Sequence, residues 1–189
     1  VLGDDPPLPG HDHRHDGGAM TDEKPPIVVN VDAVGEELMD DGRHYAQAYK
    51  VLTPALSPRW GRLGVNQTRV PPGRTSCPFH THALEDEVFF VLSGSGVLRY
   101  GDELHPIRAG DCISCPAGSG KAHQILNNSD ADLVFLAIGM NDPDEVCTYP
   151  DSGKVMVRRL GGAGRFQKTP YMDGEPSPPV VFSLAGERD

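Results

Sequence analysis

The middle of the chain alternates apolar and polar side chains in short runs. Segments 87–92, 97–100, 104–108, 112–115, 123–126 and 133–139 carry this pattern, and Gly, Pro, Asp and Asn clusters separate them. A two-residue period points successive side chains to opposite faces of a strand. Strands recurring every ~8–12 residues with turn residues between them predict a sandwich or barrel. Upstream, 45–52 and 63–70 also read as strands, 27–31 as a further strand, and 33–39 as a short helix. Downstream, 155–160 and 180–184 read as weaker strands, and the Pro-rich stretch 174–179 as a loop or tail.

Bulk composition agrees with that all-β reading. The 189 residues suit one domain, and 22 Gly with 18 Pro supply many turns. A net charge of −10 repels phosphate backbones and anionic lipid, which excludes nucleic acid and membrane surfaces as expected partners. No apolar run approaches the ~18 residues that would mark a membrane-spanning helix. Residues 1–19 lack hydrophobic periodicity and read as a leader or tag that does not fold, with Met20 as the expected native start. Without them the chain has 23 acidic and 16 basic residues, still net −7. Their alternating His11, His13 and His15 are a decoy for any metal assay. No basic stretch followed by an apolar core reads as a Sec signal, so the expected compartment is the cytoplasm.

Four cysteines, Cys77, Cys112, Cys115 and Cys147, suit a reducing compartment. Cys112 and Cys115 form a C-x-x-C on an expected strand, where a three-residue separation sends the side chains to opposite faces. They therefore read as small packing residues and not as chelators.

The chemistry concentrates in two blocks. In the first, His80 and His82 share a strand face ~6.5–7 Å apart. Both imidazoles can reach one ion at ~2 Å bond lengths. Glu87 follows a short polar turn at 83–86, and its parity with Phe89 and Val91 aims it inward. If that turn reverses the chain, Glu87 returns on the neighbouring strand and one hairpin supplies three ligands. Glu85 is the alternative if the register is different. The second block, Gly110-Asp-Cys-Ile-Ser-Cys-Pro116-Ala-Gly118-Ser-Gly-Lys-Ala-His123, repeats the strand–turn–strand plan and adds His123.

These blocks, Gly73…His80-x-His82…Glu87…Gly94 and Gly110…Pro116-x-Gly118…His123…Asn127, resemble the two motifs of the cupin superfamily. More narrowly, the chain is similar to small bacterial single-domain cupin-2 proteins. The gaps before His80 and before His123 are longer than the family pattern, and both fall in loops. The resemblance spans about Leu63 to Gly139. It implies a double-stranded β-helix (jelly-roll) barrel binding one divalent ion, Fe, Mn, Ni, Zn or Cu, through His80, His82, Glu87 and His123. It also implies a small-molecule ligand or substrate and a homodimer paired through an N-terminal strand at 27–31 or 45–52.

The expected organisation is a leader at 1–19, an N-terminal extension packed on the barrel at 20–62, the barrel core at 63–140, and a C-terminal extension with one or two strands at 141–189. Gln67, Arg69, Phe89, Tyr100 and Asn127 are candidate pocket-lining residues, although Arg69 also suits a surface salt bridge and Asn127 a turn. No catalytic residue is assigned. Two functions remain open from the residues: a divalent-metal-dependent oxidoreductase, isomerase or lyase acting on a small oxygen-rich anion, or a non-catalytic binding or sensory barrel.

Overall fold

A computed structural model describes residues 25–56 and 62–186 of the chain. The expected leader and its three histidines lie outside the described residues. Thirteen strands are present among the described residues. They are β1 Glu37–Asp40, β2 Ala46–Val51, β3 Leu63–Val70, β4 Thr81–His82, β5 Glu87–Ser93, β6 Ser95–Tyr100 and β7 Glu103–Arg108. After these come β8 Cys112–Cys115, β9 His123–Leu126, β10 Leu133–Met140, β11 Val146–Tyr149, β12 Lys154–Val157 and β13 Gly162–Gly164. One short helix, α1 Val180–Leu184, lies near the end. No helix among the described residues is long and apolar enough to cross a membrane.

One sheet runs β1-β2-β3-β10-β5-β8; a second runs β13-β12-β11-β4 and a third β7-β6-β9. An isolated antiparallel bridge between His80 and His123 ties the second sheet to the third, so the two together face the six-stranded sheet. The core between the faces is built from alternate strand positions. Val70, Phe89, Val91, Ile113, Leu133 and Phe135 come from the six-stranded side, and Leu98, Ile107 and Ile125 from the other. In β8 the burial alternates strictly, leaving Cys112 exposed and Cys115 buried, as the strand reading of C-x-x-C requires.

Two glycines set the close packing at the β5–β6 corner. Gly94 has φ of +81°, and a Cβ there would lie 2.4 Å from the Asp132 carbonyl oxygen. At Gly96 a Cβ would lie 2.5 Å from the Leu126 oxygen.

Several sequence expectations are corrected. Residues 27–30 form no strand, and Ile27 and Val28 are exposed; an apolar run alone does not make a strand when no neighbouring strand offers its ladder. The expected helix at 33–39 is a 3₁₀ turn at Val31–Ala33 followed by β1, with Asn30 capping the turn. Segment 180–184 is helical where a strand was expected, since a short apolar run is ambiguous between the two. Segment 155–160 is a strand only to Val157 and continues as a 3₁₀ turn, Arg158–Leu160. Because β2 is flanked by β1 and β3, neither 27–31 nor 45–52 is a free strand edge for pairing with a second copy; the edge belongs to β1.

Candidate metal centre

His80, His82, Glu87 and His123 converge, each offering one ligand atom within 4.8 Å of the others. The convergence is not made by a hairpin. β4 pairs with β11, whereas β5 pairs with β10 and β8 in the facing sheet. The turn after His82 therefore carries the chain across the barrel, and Glu87 approaches the three imidazoles from the opposite wall. The second block behaves alike: β8 lies beside β5, and its turn crosses to β9. Both crossings are held by side chains and amides. Gly118 N–H donates to the His82 carbonyl at 2.9 Å and Ala117 N–H to Asp86 Oδ1 at 2.8 Å.

On the histidine wall, His80 and His123 exchange backbone hydrogen bonds of 3.2 and 2.7 Å, which sets their rings side by side with centroids 4.5 Å apart. His80 Nδ1 lies 2.8 Å from the Pro78 oxygen, which leaves Nε2 to face the cluster. Phe89 packs against His123 and Tyr149 stacks on His80, closing the rings off from water. Side-chain exposure is 7% for His80 and 3% for His82 and His123, against 18% for Glu87, so solvent meets the cluster on the Glu87 side.

Glu87 Oε2 lies 2.8 Å from His123 Nε2, 3.2 Å from His82 Nε2 and 3.9 Å from His80 Nε2. Ligand atoms bound to one ion at about 2.1 Å stand roughly 3.0 Å apart at right angles and roughly 4.2 Å apart when opposite. The three distances fall in or beside that interval, so these residues fit a first-row divalent ion. Three nitrogens and one carboxylate oxygen are also a donor set such ions accept.

The electrostatics differ from residue to residue. Burial opposes charge on Glu87, yet His123 and His82 outweigh it and hold its carboxyl well below the ordinary value. Burial, with His123 next, pushes the His80 imidazole down to about 3, so it is a neutral donor. For His82 burial works the same way, but Cys147, Glu145 and Glu87 together raise its pKa above the ordinary histidine value. Burial pushes the Cys77 and Cys115 thiols up to about 12, which keeps them protonated bystanders.

Glu85 is not a member of the cluster. It is 1% exposed and forms a two-pronged pair with Arg158, whose Nη2 lies 2.7 Å from Oε2; Nη1 bonds Oε1, which also accepts from Asp142 N–H. Among the candidate pocket residues, Phe89 touches His123, and Tyr100 packs on the core opposite His123 in register. Gln67 and Arg69 are corrected. Thr68 and Val70 pair with the core-facing Phe135 and Leu133, so the alternate positions face outward, and Arg69 bridges Glu36 and Asp132 there. For Asn127 the turn reading fits: fully buried, it donates to the Val70 and Ala131 oxygens and accepts from Ser129, fixing the turn. Glu145 and Cys147, which stand behind His82, were not anticipated. Glu145 sits in an acid-rich stretch that reads as solvated loop, and the only hint was the alternation of Val146-Cys147-Thr148-Tyr149.

The architecture and the inward-facing N₃O cluster define an all-β barrel with a candidate divalent-ion site. Residues 66–139 match the cupin domain family model Cupin_2, so the barrel core carries a cupin domain. An oxalate-binding protein of Thermotoga maritima is 40% identical over 70 residues, 37% of this chain and 55% of that protein. Auxin-binding protein 1 of Arabidopsis thaliana is 38% identical over 95 residues, 45% of each. The chain thus spans about half the length of the curated relatives it matches. A Silicibacter pomeroyi structure described as a sugar phosphate isomerase from a cupin superfamily aligns with TM-score 0.65 and 28% identity, over 78% of this chain and 94% of that one. A Thermotoga maritima structure described as a predicted oxalate decarboxylase aligns with TM-score 0.53 and 26% identity, over 61% and 99%.

Proposed function

We propose that this protein is a metal-dependent cupin enzyme acting on a small oxygen-rich anion. The observation that carries the reading is the buried cluster of His80, His82, His123 and Glu87 on facing walls. A divalent ion held there by three imidazoles and one carboxylate would retain net positive charge, which suits polarising substrate oxygens. The chain's own residues then have defined tasks. Glu87 balances charge and joins the two walls. Phe89 and Tyr149 exclude water from the imidazoles, which strengthens every electrostatic contact inside. The cluster opens on the Glu87 side, where an anion would arrive.

The relatives support that substrate class, since oxalate and sugar phosphates are both small, anionic and oxygen-rich. The reaction falls among dioxygenase, isomerase, decarboxylase or lyase chemistries, and the ion among Fe, Mn, Ni, Zn and Cu. The test is elemental analysis of protein lacking residues 1–19, followed by metal-dependent turnover of oxalate and of sugar phosphates. Near-stoichiometric metal and turnover abolished by a chelator are expected; less than about 0.2 ion per chain would overturn the reading, given the tight binding of such ligand sets. A second reading, a non-catalytic small-molecule-binding or sensory cupin, is favoured by the relative described as oxalate-binding. Saturable oxalate binding without turnover identifies it.

We also propose a cytoplasmic homodimer. The four free cysteines suit a reducing compartment. The exposed β1 edge, and a C-terminal stretch displaying Phe166, Tyr171, Met172 and Phe182 to solvent, suit pairing with a second copy. Sedimentation at the mass of one chain would refute the dimer.

A further inference from the structure

Three polar groups stand behind His82, on the side away from Glu87. Its Nδ1 lies 3.3 Å from Cys147 Sγ, 3.5 Å from Glu145 Oε1 and 3.7 Å from Glu85 Oε2. Cys147 and Glu145 come from β11 and the turn before it, past the segment that matches the cupin family model. β11 is brought here by its ladder with β4, in which Cys147 is the register partner of His82. Glu145 is wholly buried and holds the backbone beyond His82: Oε1 accepts from Ala83 N–H at 2.7 Å and Oε2 from Leu84 N–H at 2.9 Å. Cys147 Sγ lies 3.8 Å from the same Oε1, as a donor to it. His82, Cys147 and Glu145 are thus arranged in sequence from imidazole to thiol to carboxylate.

The same three residues are close enough to be read as a second ion site. Both oxygens of Glu145 are engaged by amides, however, and all three residues are buried, which suits orientation better than ligation. An imidazole that binds metal through one nitrogen needs an acceptor for the proton on the other. That acceptor fixes its tautomer and ring angle.

Resting on the metal-centre reading above, we propose that Glu145 and Cys147 are positioning residues. They hold the His82 Nδ1 proton toward β11 and so aim Nε2 at Glu87, making the C-terminal strand part of the metal centre. Glu85 contributes less, because Arg158 and the Asp142 amide take its oxygens.

The test uses the full chain, stripped with a chelator and titrated with Co²⁺, in native form and as Glu145→Gln, Cys147→Ala and Cys147→Ser. Affinity and the visible Co²⁺ absorption bands are recorded, with the thermal midpoint of the metal-free protein as the control for folding. Loss of about 10–100-fold in affinity with shifted bands is expected for Glu145→Gln and Cys147→Ala. Partial recovery is expected in Cys147→Ser, which keeps a donor and an acceptor. Native-like affinity and bands in both Glu145→Gln and Cys147→Ala overturn the proposal, as does a lowered thermal midpoint with affinity and bands unchanged. If Glu145→Gln does not fold, the Cys147 pair decides alone. Failure of the native protein to bind Co²⁺ strikes the metal reading instead. The positioning claim is then judged on ¹⁵N shifts of the His82 ring in metal-free protein: native and Cys147→Ala spectra that both show the proton off Nδ1 reject it.

Discussion

Replacing Arg158 with Met tests whether the ion pair beneath the candidate site supports the fold. Glu85 is 1% exposed, and the Arg158 guanidinium meets both its oxygens. Removing the guanidinium strands a carboxylate in the interior with the Asp142 amide as its remaining strong donor. Breaking a fully buried pair from one side costs about 3–5 kcal/mol. Arg158 keeps 17% of its side chain in solvent, and water entering there softens the penalty, which favours the low end, about 3 kcal/mol. At roughly 2–4 °C per kcal/mol for a domain of this size, the midpoint should fall by about 6–12 °C. The assay is thermal unfolding by circular dichroism in chelator, so that ion binding does not shift the midpoint. The double variant Glu85→Leu with Arg158→Met removes the stranded charge and should recover most of the loss. A single variant within about 1 kcal/mol of native, or a double variant no better than the single, would refute the reasoning.

Other expected outcomes are simpler. His123→Ala and Glu87→Ala should each lower metal affinity by more than about 100-fold, beyond the range for groups that merely orient a ligand, as read by titration of chelator-stripped protein. Phe135→Ala, at a position 2% exposed in the core, should cost about 3–5 kcal/mol in urea unfolding. Gly94→Ala should cost about 2 kcal/mol or more, because its φ is left-handed and its Cβ would meet the Asp132 oxygen at 2.4 Å; soluble protein of unchanged stability contradicts that packing. Arg69 lowers the Glu36 pKa, so their bridge helps above the ordinary carboxylate range and is lost as pH falls through the lowered value. Both side chains are about a third exposed, so Glu36→Gln should remove less than about 1 kcal/mol at pH 7, and progressively less as the pH falls through the lowered carboxyl value.

Most strands of the barrel were legible because each buries one face, which writes a period of two clearly into strands such as β5, β8 and β9. The convergence of His80, His82 and Glu87 was legible because a shared face and a shared parity, His80 with His82 and Glu87 with Phe89, survive even when the connection between them is misread. What failed was the path between the strands. A polar turn such as 83–86 looks the same whether it makes a hairpin or crosses to the opposite wall; the crossing is enforced by Glu145 bonding its amides from 62 and 61 residues away. Such distant partners leave no local trace. Glu145, wholly buried, and Arg158, paired with Glu85, therefore look like ordinary charged residues in the sequence. Asn127 was read as both a turn residue and a pocket candidate, and its buried hydrogen bonds decide for the turn.

The crossing turn also bears on how the molecule is made. Glu85 and Arg158 stand 73 positions apart, so during synthesis the first three candidate metal-binding side chains leave the ribosome well before the groups that brace them. Long-range closures of this kind come late and slowly. A nascent chain that has reached only His123 already carries all four candidate ligands yet lacks the strand that pairs with His82, so the cluster takes its final geometry only when the C-terminal part emerges and docks.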